Sequence, residues 1–592
     1  MKRVREQRND LLARVPRLQV LFAFGLIVIG TAYWRVQVVQ GEYYRGLADN
    51  NRLRQEPIKA RRGLIHDRNG RLLVDNLPSY NLMLDRSHGD DVPGALEFAA
   101  GILERSSEEL AQVVAGAPGP LFEPVLIAED LSLAEVSKVR VAALEHPEFT
   151  IEVDHLRLYR YGPTTAHVLG YLGEANASDL AIESAHYRAG DLVGRKGVER
   201  VFDLELRGRD GVRELIVDSR GRPRDEQGRR SAEAGKDFAL TLDIELQQEA
   251  ARYLEGRAGS AVALNPSTGE VLVLVSAPSY NPNLFTRRLE SSQWQEILEA
   301  EHNPLQNRVI QNAYPPGSVF KMVMGIAGLN EGVVTPEDSV YCGGSTVIYN
   351  RRTRCWLRRG HGRVDLRKAI KESCDIYFYA LGQEVGINRI AHYARLFGLG
   401  RATGFDIPGE RSGLIPDTQW SLSRRGSPWY PGETVSVAVG QGPILVTPMQ
   451  VAGMVAALAN GGRLVTPHVR HGAGKPLSRP IDIDPSTIDR VRDAMWAVVN
   501  EKDGTGVSVR LPGIDVAGKT GTAQVIEQET WIKNEDLPED QRDHAWFASY
   551  APAENPEIVV VAFVEHGGHG SDAAAPLVRL IYERYFRTAD AG

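Results

Sequence analysis

The sequence YPPGSVFKM, residues 314–322, contains a serine and a lysine at a spacing suited to nucleophilic catalysis. Two prolines and a glycine end the preceding element, so Ser318 can lie near the N-terminus of a helix. Residues three apart on a helix project from one face, and the amine of Lys321 is then close enough to take the hydroxyl proton. A base within reach activates a serine nucleophile. The partial positive charge of a helix N-terminus favours the neutral amine and stabilises negative charge nearby.

This pattern alone is common, because an N-cap serine followed by a solvated lysine explains most of its occurrences. Two further motifs make it specific. They are Ser373-Cys374-Asp375 and, on a predicted strand, Lys519-Thr520-Gly521-Thr522. A Ser-x-x-Lys motif, a serine triplet and a Lys-Thr-Gly motif in this order are typical of serine acyl-transferases that react with penicillin. We therefore predict that three distant stretches fold around the hydroxyl of Ser318.

The elements that must position these residues begin near residue 236. A helix is predicted after Thr241 or Asp243, and residues 261–280 form two apolar runs joined by an Asn-Pro-Ser-Thr-Gly turn, which predicts a hairpin. A buried strand is predicted at 557–568 and an amphipathic helix at 572–586. Antiparallel strands with helices packed on them, and a largely helical part between, indicate an α+β catalytic domain over residues 236–592.

The part before this domain, residues 40–235, is polar and interrupted by glycines. Within it, short apolar runs flank Asn69-Gly70, which is a strong hairpin signal. We predict an extended, strand-rich pedestal domain without a pocket.

The first forty residues predict a membrane anchor. Residues 18–34 carry no charge, and six basic residues precede them against two acidic ones. An uncleaved helix at 18–36 is favoured over a signal peptide, since Tyr33, Trp34 and Arg35 follow instead of a small-residue cleavage site. A buried core helix is a poorer alternative, because core helices are usually amphipathic. The positive-inside rule leaves residues 1–17 as a cytoplasmic tail and exports everything after the anchor.

Composition limits the classes of function. The chain has 592 residues, of which 43% are hydrophobic and 24% charged, with 76 acidic and 69 basic residues and a net charge of −7. These values are typical of globular domains, and they disfavour a disordered, collagen-like or nucleic-acid-binding protein. Nucleic acid is therefore not an expected partner.

Longer segments carry a resemblance to a known family. RGLIHDRNG (62–70) and GRKGVERVFDLELRG (194–208) are similar to pedestal motifs of class B penicillin-binding proteins, and GQGPILVTPMQVA (440–452) and HAWFASYAP (544–552) resemble their catalytic-domain signatures. These proteins are membrane-anchored peptidoglycan transpeptidases. The second motif of the family is usually Ser-x-Asn. Asp375 departs from it and resembles the elongation-type branch, whereas a division-type member would be expected to carry Asn.

The resemblance implies roles for matching residues. Ser318 would attack the carbonyl between the two D-alanines of a pentapeptide stem, with Lys321 as general base and Ser373 relaying a proton to the leaving amine. Lys519 and Thr520 would hold the carboxylate of the donor.

The backbone N–H groups of Ser318 and Thr522 would form an oxyanion hole. Asp375 could pair with either Lys321 or Lys519, and would then raise the pKa of its partner and oppose a neutral base.

Cys342, Cys355, His361 and Cys374 supply three thiols and one imidazole, a common structural zinc set. Their spacing lacks a C-x-x-C pair, so a disulfide with one free thiol, or unrelated core residues with a solvent histidine, remain alternatives. Some members of the elongation-type branch have a metal near this place, with His and Cys ligands at similar spacing, and the resemblance therefore implies one structural zinc ion. It would fix the loop that presents Ser373. The acyl transfer itself needs no cofactor.

The resemblance also implies partners and a location. Expected partners are peptidoglycan stem pentapeptides, β-lactam antibiotics, a multipass lipid-II glycan polymerase and a rod-shape scaffold, with the catalytic domain on the periplasmic side of the bacterial inner membrane. The alternatives are a division-type transpeptidase, a non-catalytic β-lactam sensor or scaffold, and a β-lactamase, for which the long pedestal is unnecessary.

Overall fold

The computed structural model describes residues 2–44, 53–86, 91–117, 124–182, 187–188, 190–218, 223–287, 289, 291–472, 474, 477–526 and 534–589. The chain divides into two compact units. The smaller contains residues up to 61 together with 77–156 and 208–234, and the larger contains 62–76, 157–207 and 235 onwards.

A long helix that is charged in its first half and apolar in its second half lies at the start of the described chain. It spans Lys2–Trp34 and continues as a π-helical turn at Arg35–Val39. The segment Leu18–Val39 is long and apolar enough to cross a membrane, and none of it is buried in the protein. The predicted helix at 18–36 is confirmed as an element, whereas Met1 of the predicted tail lies outside the described residues.

The smaller unit contains an antiparallel sheet in the order Leu53–Ile58, Gly211–Val217, Pro223–Arg230. A second group of strands contains Val125–Ala128 and parts of Leu72–Leu84 and Phe149–Tyr159. Three helices that the sequence did not predict pack with it, at Val92–Leu103, Ser107–Gly116 and Leu133–Val141. Each of these helices has a side-chain N-cap that accepts a hydrogen bond from one backbone N–H of its first turn.

The larger unit is built on a five-stranded antiparallel sheet. The order of its strands is Val271–Ala277, Gly259–Leu264, Ile558–Val564, His544–Ala551 and Ala517–Ala523. Every residue of the first three of these strands is buried, so both faces of the sheet are covered. The predicted hairpin and the predicted strand near 557 are confirmed.

Helices pack on this sheet. Ile244–Tyr253 begins at the cap residue Asp243, as predicted, and packs against Ala575–Ala589. Pro448–Ala459 contacts three strands of the sheet, and all twelve of its residues are buried, which explains why all of them except Gln450 are apolar. Further α-helices in the described part of the larger unit are Ala166–Leu169, Ala177–Leu180, Gly197–Val201, Asp203–Arg207, Ser291–Glu299, Lys321–Asn330, Leu366–Lys371, Asp375–Val385, Ile387–Leu396, Pro431–Ala438, Pro485–Asn500 and Gly570–Ala573.

Short strand pairs complete the larger unit. The pairs are Leu172–Glu174 with Leu192–Gly194, Ser339–Cys342 with Gly362–Asp365, Ser345–Ile348 with Arg351–Arg354, and Arg463–Val465 with Ser478–Pro480. Ile65–His66 pairs with the start of Leu72–Leu84 and with Phe238–Ala239. The hairpin predicted at Asn69-Gly70 is thereby confirmed, and Gly70 has the positive φ of 79° that such a turn requires.

A buried ionic cluster joins three distant parts of the larger unit. One carboxylate oxygen of Glu199 accepts from Arg62 Nε at 2.7 Å, and the other accepts from Arg157 Nε at 2.8 Å. Asp203 also pairs with Arg62, at 2.7 Å. Burial alone would raise the pKa of Glu199, but the two guanidinium groups outweigh it and lower that pKa.

The variant Glu199→Gln is expected to lose about 3–5 kcal/mol of unfolding free energy, because it leaves two guanidinium groups buried without their shared anion. Urea unfolding measures this loss, and Glu255→Gln, at an exposed position, is the control and should change stability by less than about 0.5 kcal/mol. In the wild type the same contribution is lost as the pH falls through the lowered pKa of Glu199. Equal stability of the two variants would refute the role given to this cluster.

Candidate active site

The segment that carries Ser318 is fixed on both sides. Gly317–Phe320 forms one 3₁₀ turn, and the helix Lys321–Asn330 continues from it. The indole Nε1 of Trp546 donates to the carbonyl of Pro315 at 3.0 Å, and the N–H of Gly317 donates to the carbonyl of Gly440 at 2.9 Å. Ser318 is half-buried at this turn, and its hydroxyl makes no hydrogen bond with the described residues.

Lys321 is fully buried on the first turn of its helix. Its Nζ donates to the carbonyl of Ser373 at 2.9 Å, to Ser373 Oγ at 3.2 Å and to Asp375 Oδ1 at 2.7 Å. A buried amine needs such partners, because an unpaired polar group in the protein interior is costly. Of the two pairings considered for Asp375, the structure contains the one with Lys321.

The loop of the second motif connects the helices Leu366–Lys371 and Asp375–Val385. Ser373 has a φ of 57°, in the left-handed region that few non-glycine residues adopt. The N–H of Cys374 donates to the carbonyl of Ala369 at 2.9 Å, which holds this turn closed. The second oxygen of Asp375 accepts from the backbone N–H of Trp356 at 2.9 Å. Both oxygens of the carboxylate are therefore engaged.

The third motif lies on the edge strand Ala517–Ala523, which pairs on one side with His544–Ala551. Lys519 is fully buried, and its Nζ donates to the carbonyl of Thr520 at 3.0 Å. The hydroxyl of Thr520 is hydrogen-bonded to that of Thr505 at 2.8 Å. Gln441 Nε2 donates to the carbonyl of Thr522 at 3.0 Å.

Two glycines let this strand approach the Ser318 turn. A Cβ added to Gly317 would lie 2.4 Å from the carbonyl oxygen of Thr522, and one added to Gly521 would lie 2.8 Å from Val319 Cγ2. Neither position can accept a larger residue without a shift of the strand or of the turn. The structure therefore brings the Ser318 turn, Lys321, the 373–375 loop and residues 519–522 together.

The charges at this place influence one another. Burial raises the pKa of Asp375, and the nearby Lys321 opposes this rise. Burial, and then repulsion by Lys321, lower the pKa of Lys519 well below the ordinary lysine value. A site with two buried amines and one carboxylate thus favours a neutral Lys519 until another anion arrives.

Several contacts of the site were not predicted from the sequence. Trp546 and Gln441 lie in the segments HAWFASYAP and GQGPILVTPMQVA, which the sequence marked without assigning roles to single residues. Thr505 lies in an ordinary loop and carries no motif that could have identified it.

The four residues of the predicted metal set also come together. The ligand atoms of Cys342, Cys355, His361 and Cys374 lie within 4.8 Å of one another, and all four residues are buried. The three thiols are free, and the Nδ1 of His361 lies 3.5 Å from the sulfurs of Cys342 and Cys355. The alternatives of a disulfide and of a solvent histidine are therefore not what the structure contains.

This donor set fits a tetrahedral zinc ion, which takes thiolate and imidazole ligands. A hydrogen bond from Cys374 lowers the pKa of Cys355 and favours its thiolate form, the form that binds metals. The cluster is joined to the second motif through Cys374 itself and through the N–H of Asp375, which donates to the sulfur of Cys355 at 3.4 Å.

Comparisons with known proteins agree with this geometry. The penicillin-binding protein transpeptidase domain matches residues 259–583, and the penicillin-binding protein dimerisation domain matches residues 57–240. The peptidoglycan D,D-transpeptidase MrdA of Acinetobacter baumannii is 35% identical over 97% of this chain and 88% of its own length.

Two solved structures extend the likeness to the fold. PBP2 of Helicobacter pylori, in its complex with MreC, has a TM-score of 0.82 and 30% identity over 90% of this chain and 98% of its own. A peptidoglycan synthase complex, solved to describe how polymerization and crosslinking are coordinated, contains a chain with a TM-score of 0.72 and 31% identity over 97% of this chain and 98% of its own. The resemblance seen in the motifs is confirmed, and the chain belongs to the PBP2/MrdA family of peptidoglycan D,D-transpeptidases, the class B penicillin-binding proteins.

Proposed function

We propose that Ser318 is the nucleophile of this transpeptidase and forms an acyl-enzyme with the donor stem peptide. The observation that carries the proposal is the convergence of Lys321, the 373–375 loop and the 519–522 edge strand on the turn that holds Ser318. Ser318 Oγ attacks the carbonyl between two D-alanines, the peptide bond breaks, and the terminal D-alanine leaves with a proton on its amine.

Lys321 and Ser373 provide the route for that proton. Lys321 takes the hydroxyl proton of Ser318 and passes it through Ser373 Oγ, 3.2 Å from Nζ, to the leaving amine. The carboxylate of Asp375 stabilises the protonated lysine once the proton has moved. Hydrogen bonds to a catalytic serine are often long in the free enzyme and shorten when substrate binds, which suits the unengaged hydroxyl of Ser318.

The edge strand binds the donor. An extended peptide can add to the free edge of Ala517–Ala523 as a further strand. Its terminal carboxylate then lies by Lys519 and Thr520. The backbone N–H groups of Ser318 and Thr522 stabilise the oxyanion, and one such donor contributes about 3–4 kcal/mol to transition-state stabilisation. The close approach of the backbone at Gly317 to Thr522 supports a joint role of these two N–H groups, because it places the turn of Ser318 directly against Thr522.

An amine of a second stem peptide completes the reaction. It attacks the acyl carbonyl, the ester to Ser318 breaks, and a new peptide bond cross-links the two stems. Water in place of the amine gives carboxypeptidase action. β-Lactams acylate Ser318 because their strained amide resembles the bond of the donor.

Our proposal for the membrane location and the partners of the enzyme rests on the apolar N-terminal helix and on the relatives. We propose a single-pass inner-membrane protein with residues 1–17 in the cytoplasm, an anchor at 18–36, a pedestal at 40–235 and a periplasmic catalytic domain at 236–592. The H. pylori relative in complex with MreC supports a rod-shape scaffold partner, and the synthase complex supports a glycan polymerase partner. Both support a role in elongation and cell shape.

We further propose that Cys342, Cys355, His361 and Cys374 hold one structural zinc ion. The metal would be structural because four protein ligands leave no open position. Its effect on the reaction is indirect, through Cys374 and the backbone of Asp375, which hold the loop that carries Ser373.

Acylation of Ser318 is tested by labelling membranes with a fluorescent penicillin. Ser318→Ala should abolish labelling of the full-length chain, since the acylated oxygen is removed. Ser423→Ala, at an exposed serine, is the matched control and should label like the wild type. Labelling of Ser318→Ala would show that Ser318 is not the acylated nucleophile. If the wild type is labelled but forms no cross-linked product, the protein is instead a non-catalytic β-lactam sensor or scaffold.

The lowered pKa of Lys519 predicts a pH dependence. A penicillin with a free carboxylate raises the pKa of Lys519 when it binds and favours the charged amine, whereas its methyl ester does not. The ratio of the acylation rate constants, free acid over ester, should therefore rise as the pH falls from the ordinary lysine range through the lowered pKa of Lys519.

Time courses of labelling between about pH 6 and pH 10 measure this ratio. Both compounds acylate Ser318 with the help of Lys321, so the pH dependence that arises from these two residues cancels in the ratio. Lys519→Gln should remove the pH dependence of the ratio. A wild-type ratio that stays constant across the range would show that Lys519 does not recognise the carboxylate.

Zinc is tested by elemental analysis of the purified protein. One zinc ion per chain is expected, and His361→Asn should lose it and slow acylation of Ser318 by about 10–100-fold. His392→Asn, on an exposed part of Ile387–Leu396, is the control and should keep both metal and rate. Full acylation in metal-free His361→Asn would contradict the role of the cluster.

A further inference from the structure

One segment next to the active site has an unusual charge. Residues 339–364 contain six arginines and no aspartate or glutamate, although the whole chain has more acidic than basic residues. The six are Arg351, Arg352, Arg354, Arg358, Arg359 and Arg363. Neither the acyl-transfer steps nor the zinc cluster uses these side chains.

Five of the six arginines lie on a short hairpin and the loop that follows it, and Arg363 lies on the strand Gly362–Asp365. Ser345–Ile348 pairs with Arg351–Arg354, and Tyr349 and Asn350, with φ of 49° and 61°, form its two-residue turn. We call residues 345–359 the arginine hairpin. Its short turn and paired strands restrict the positions of the charges.

The charges are available to a ligand. Arg352, Arg358 and Arg359 are exposed, and no carboxylate in the described part of the chain forms an ion pair with them. Arg352 donates only to Ser345 Oγ, at 3.1 and 3.3 Å. By contrast, the nearby Arg367 is bound by Asp493 and Glu501. Arginine left without an acidic partner is suited to bidentate binding of carboxylates.

Exposed aromatic rings accompany the charges. The exposed fractions are 77% for Tyr341, 57% for Tyr349 and 50% for Trp356. Tyrosine, tryptophan and arginine are the residue types enriched at the centres of binding surfaces. Tyr349 and Trp356 belong to the arginine hairpin, which therefore offers both charge and apolar contact area, and Tyr341 lies on the strand Ser339–Cys342.

The arginine hairpin is connected directly to the catalytic loop. The N–H of Trp356 donates to Asp375, and its indole Nε1 donates to the carbonyl of Glu372 at 3.0 Å. The hydroxyl of Tyr379 donates to the carbonyl of Arg354 at 3.2 Å. Trp356 thus joins the arginine hairpin to the 373–375 loop.

We propose that the arginine hairpin binds the acceptor, the second stem peptide, through its carboxylates. The inference rests on the proposed function, in which Lys519 and the edge strand already serve the carboxylate and backbone of the donor. A second peptide must reach the acyl carbonyl from elsewhere, and the hairpin is the cationic surface joined to the 373–375 loop. Its charges raise the local concentration of an anionic peptide and orient its amine.

The test measures how the acyl-enzyme divides between an amine and water. Full-length protein in detergent receives a synthetic donor ending in D-alanyl-D-alanine and increasing amounts of an acceptor peptide with a free amine and free carboxylates. The triple variant Arg352→Gln, Arg358→Gln, Arg359→Gln should raise the half-saturating acceptor concentration about tenfold. The matched control is Arg411→Gln, Arg424→Gln, Arg490→Gln, which removes three exposed charges elsewhere and should behave as the wild type.

An acceptor whose carboxylates are amidated separates recognition from structural damage. The half-saturating concentration of the amidated acceptor for the wild type should equal that of the free-acid acceptor for the triple variant. The triple variant should have the same half-saturating concentration for both acceptors. Equal half-saturation in wild type and triple variant overturns the inference, as does an equal loss with both acceptors.

Two further results complete the test. If the triple variant loses binding only to vesicles of phosphatidylglycerol and keeps acceptor saturation, the surface serves the membrane and the inference is wrong. Fluorescent penicillin labelling needs no acceptor, so unlabelled wild-type protein would count against the proposed function, whereas labelled protein with unchanged acceptor saturation would count against the arginine hairpin alone.

Discussion

The contact between the buried amine of Lys321 and the loop of Ser373 and Asp375 is the constraint on which the rest of the site depends. An amine in the protein interior is tolerated only with close hydrogen-bond partners, and here three lie within 3.2 Å of its nitrogen. The loop must therefore be held in one shape. Its serine adopts a left-handed backbone, and Cys374 joins it to the cluster of three thiols and one imidazole. In our proposal, a zinc ion held by this cluster stabilises a loop conformation that the backbone alone would not favour.

The sheet supplies the second constraint. The edge strand 517–523 can approach the Ser318 turn only because glycines stand at positions 317 and 521. Trp546 on the neighbouring strand holds the carbonyl of Pro315, so the strand and the nucleophile segment are fixed relative to each other. This arrangement also fixes the backbone N–H groups of Ser318 and Thr522, which we propose as the oxyanion donors. Donors that are already in position stabilise a developing oxyanion without further rearrangement. The free edge of the strand remains available for a donor peptide.

Much of this could be predicted because the relevant signals are local. Ser318 and Lys321 share one turn, the hairpin at Asn69-Gly70 is set by its turn residues, and the apolar helix follows from composition. The contacts that join distant parts of the chain were not predictable in the same way. Glu199 and Arg62 are 137 residues apart, and nothing in either segment identifies the other as its partner. Thr505 supports Thr520 from a loop without a motif, and the helices at 92–141 depend on packing within their own unit.

The acyl-transfer role of Ser318 is tested most directly by a high-resolution crystal structure of the protein after reaction with a penicillin. We expect an ester on Ser318 Oγ, with the carbonyl oxygen about 2.7–3.1 Å from the backbone nitrogens of Ser318 and Thr522 and the drug carboxylate by Lys519. An adduct on another residue, or an ester whose oxygen points away from both nitrogens, would contradict it.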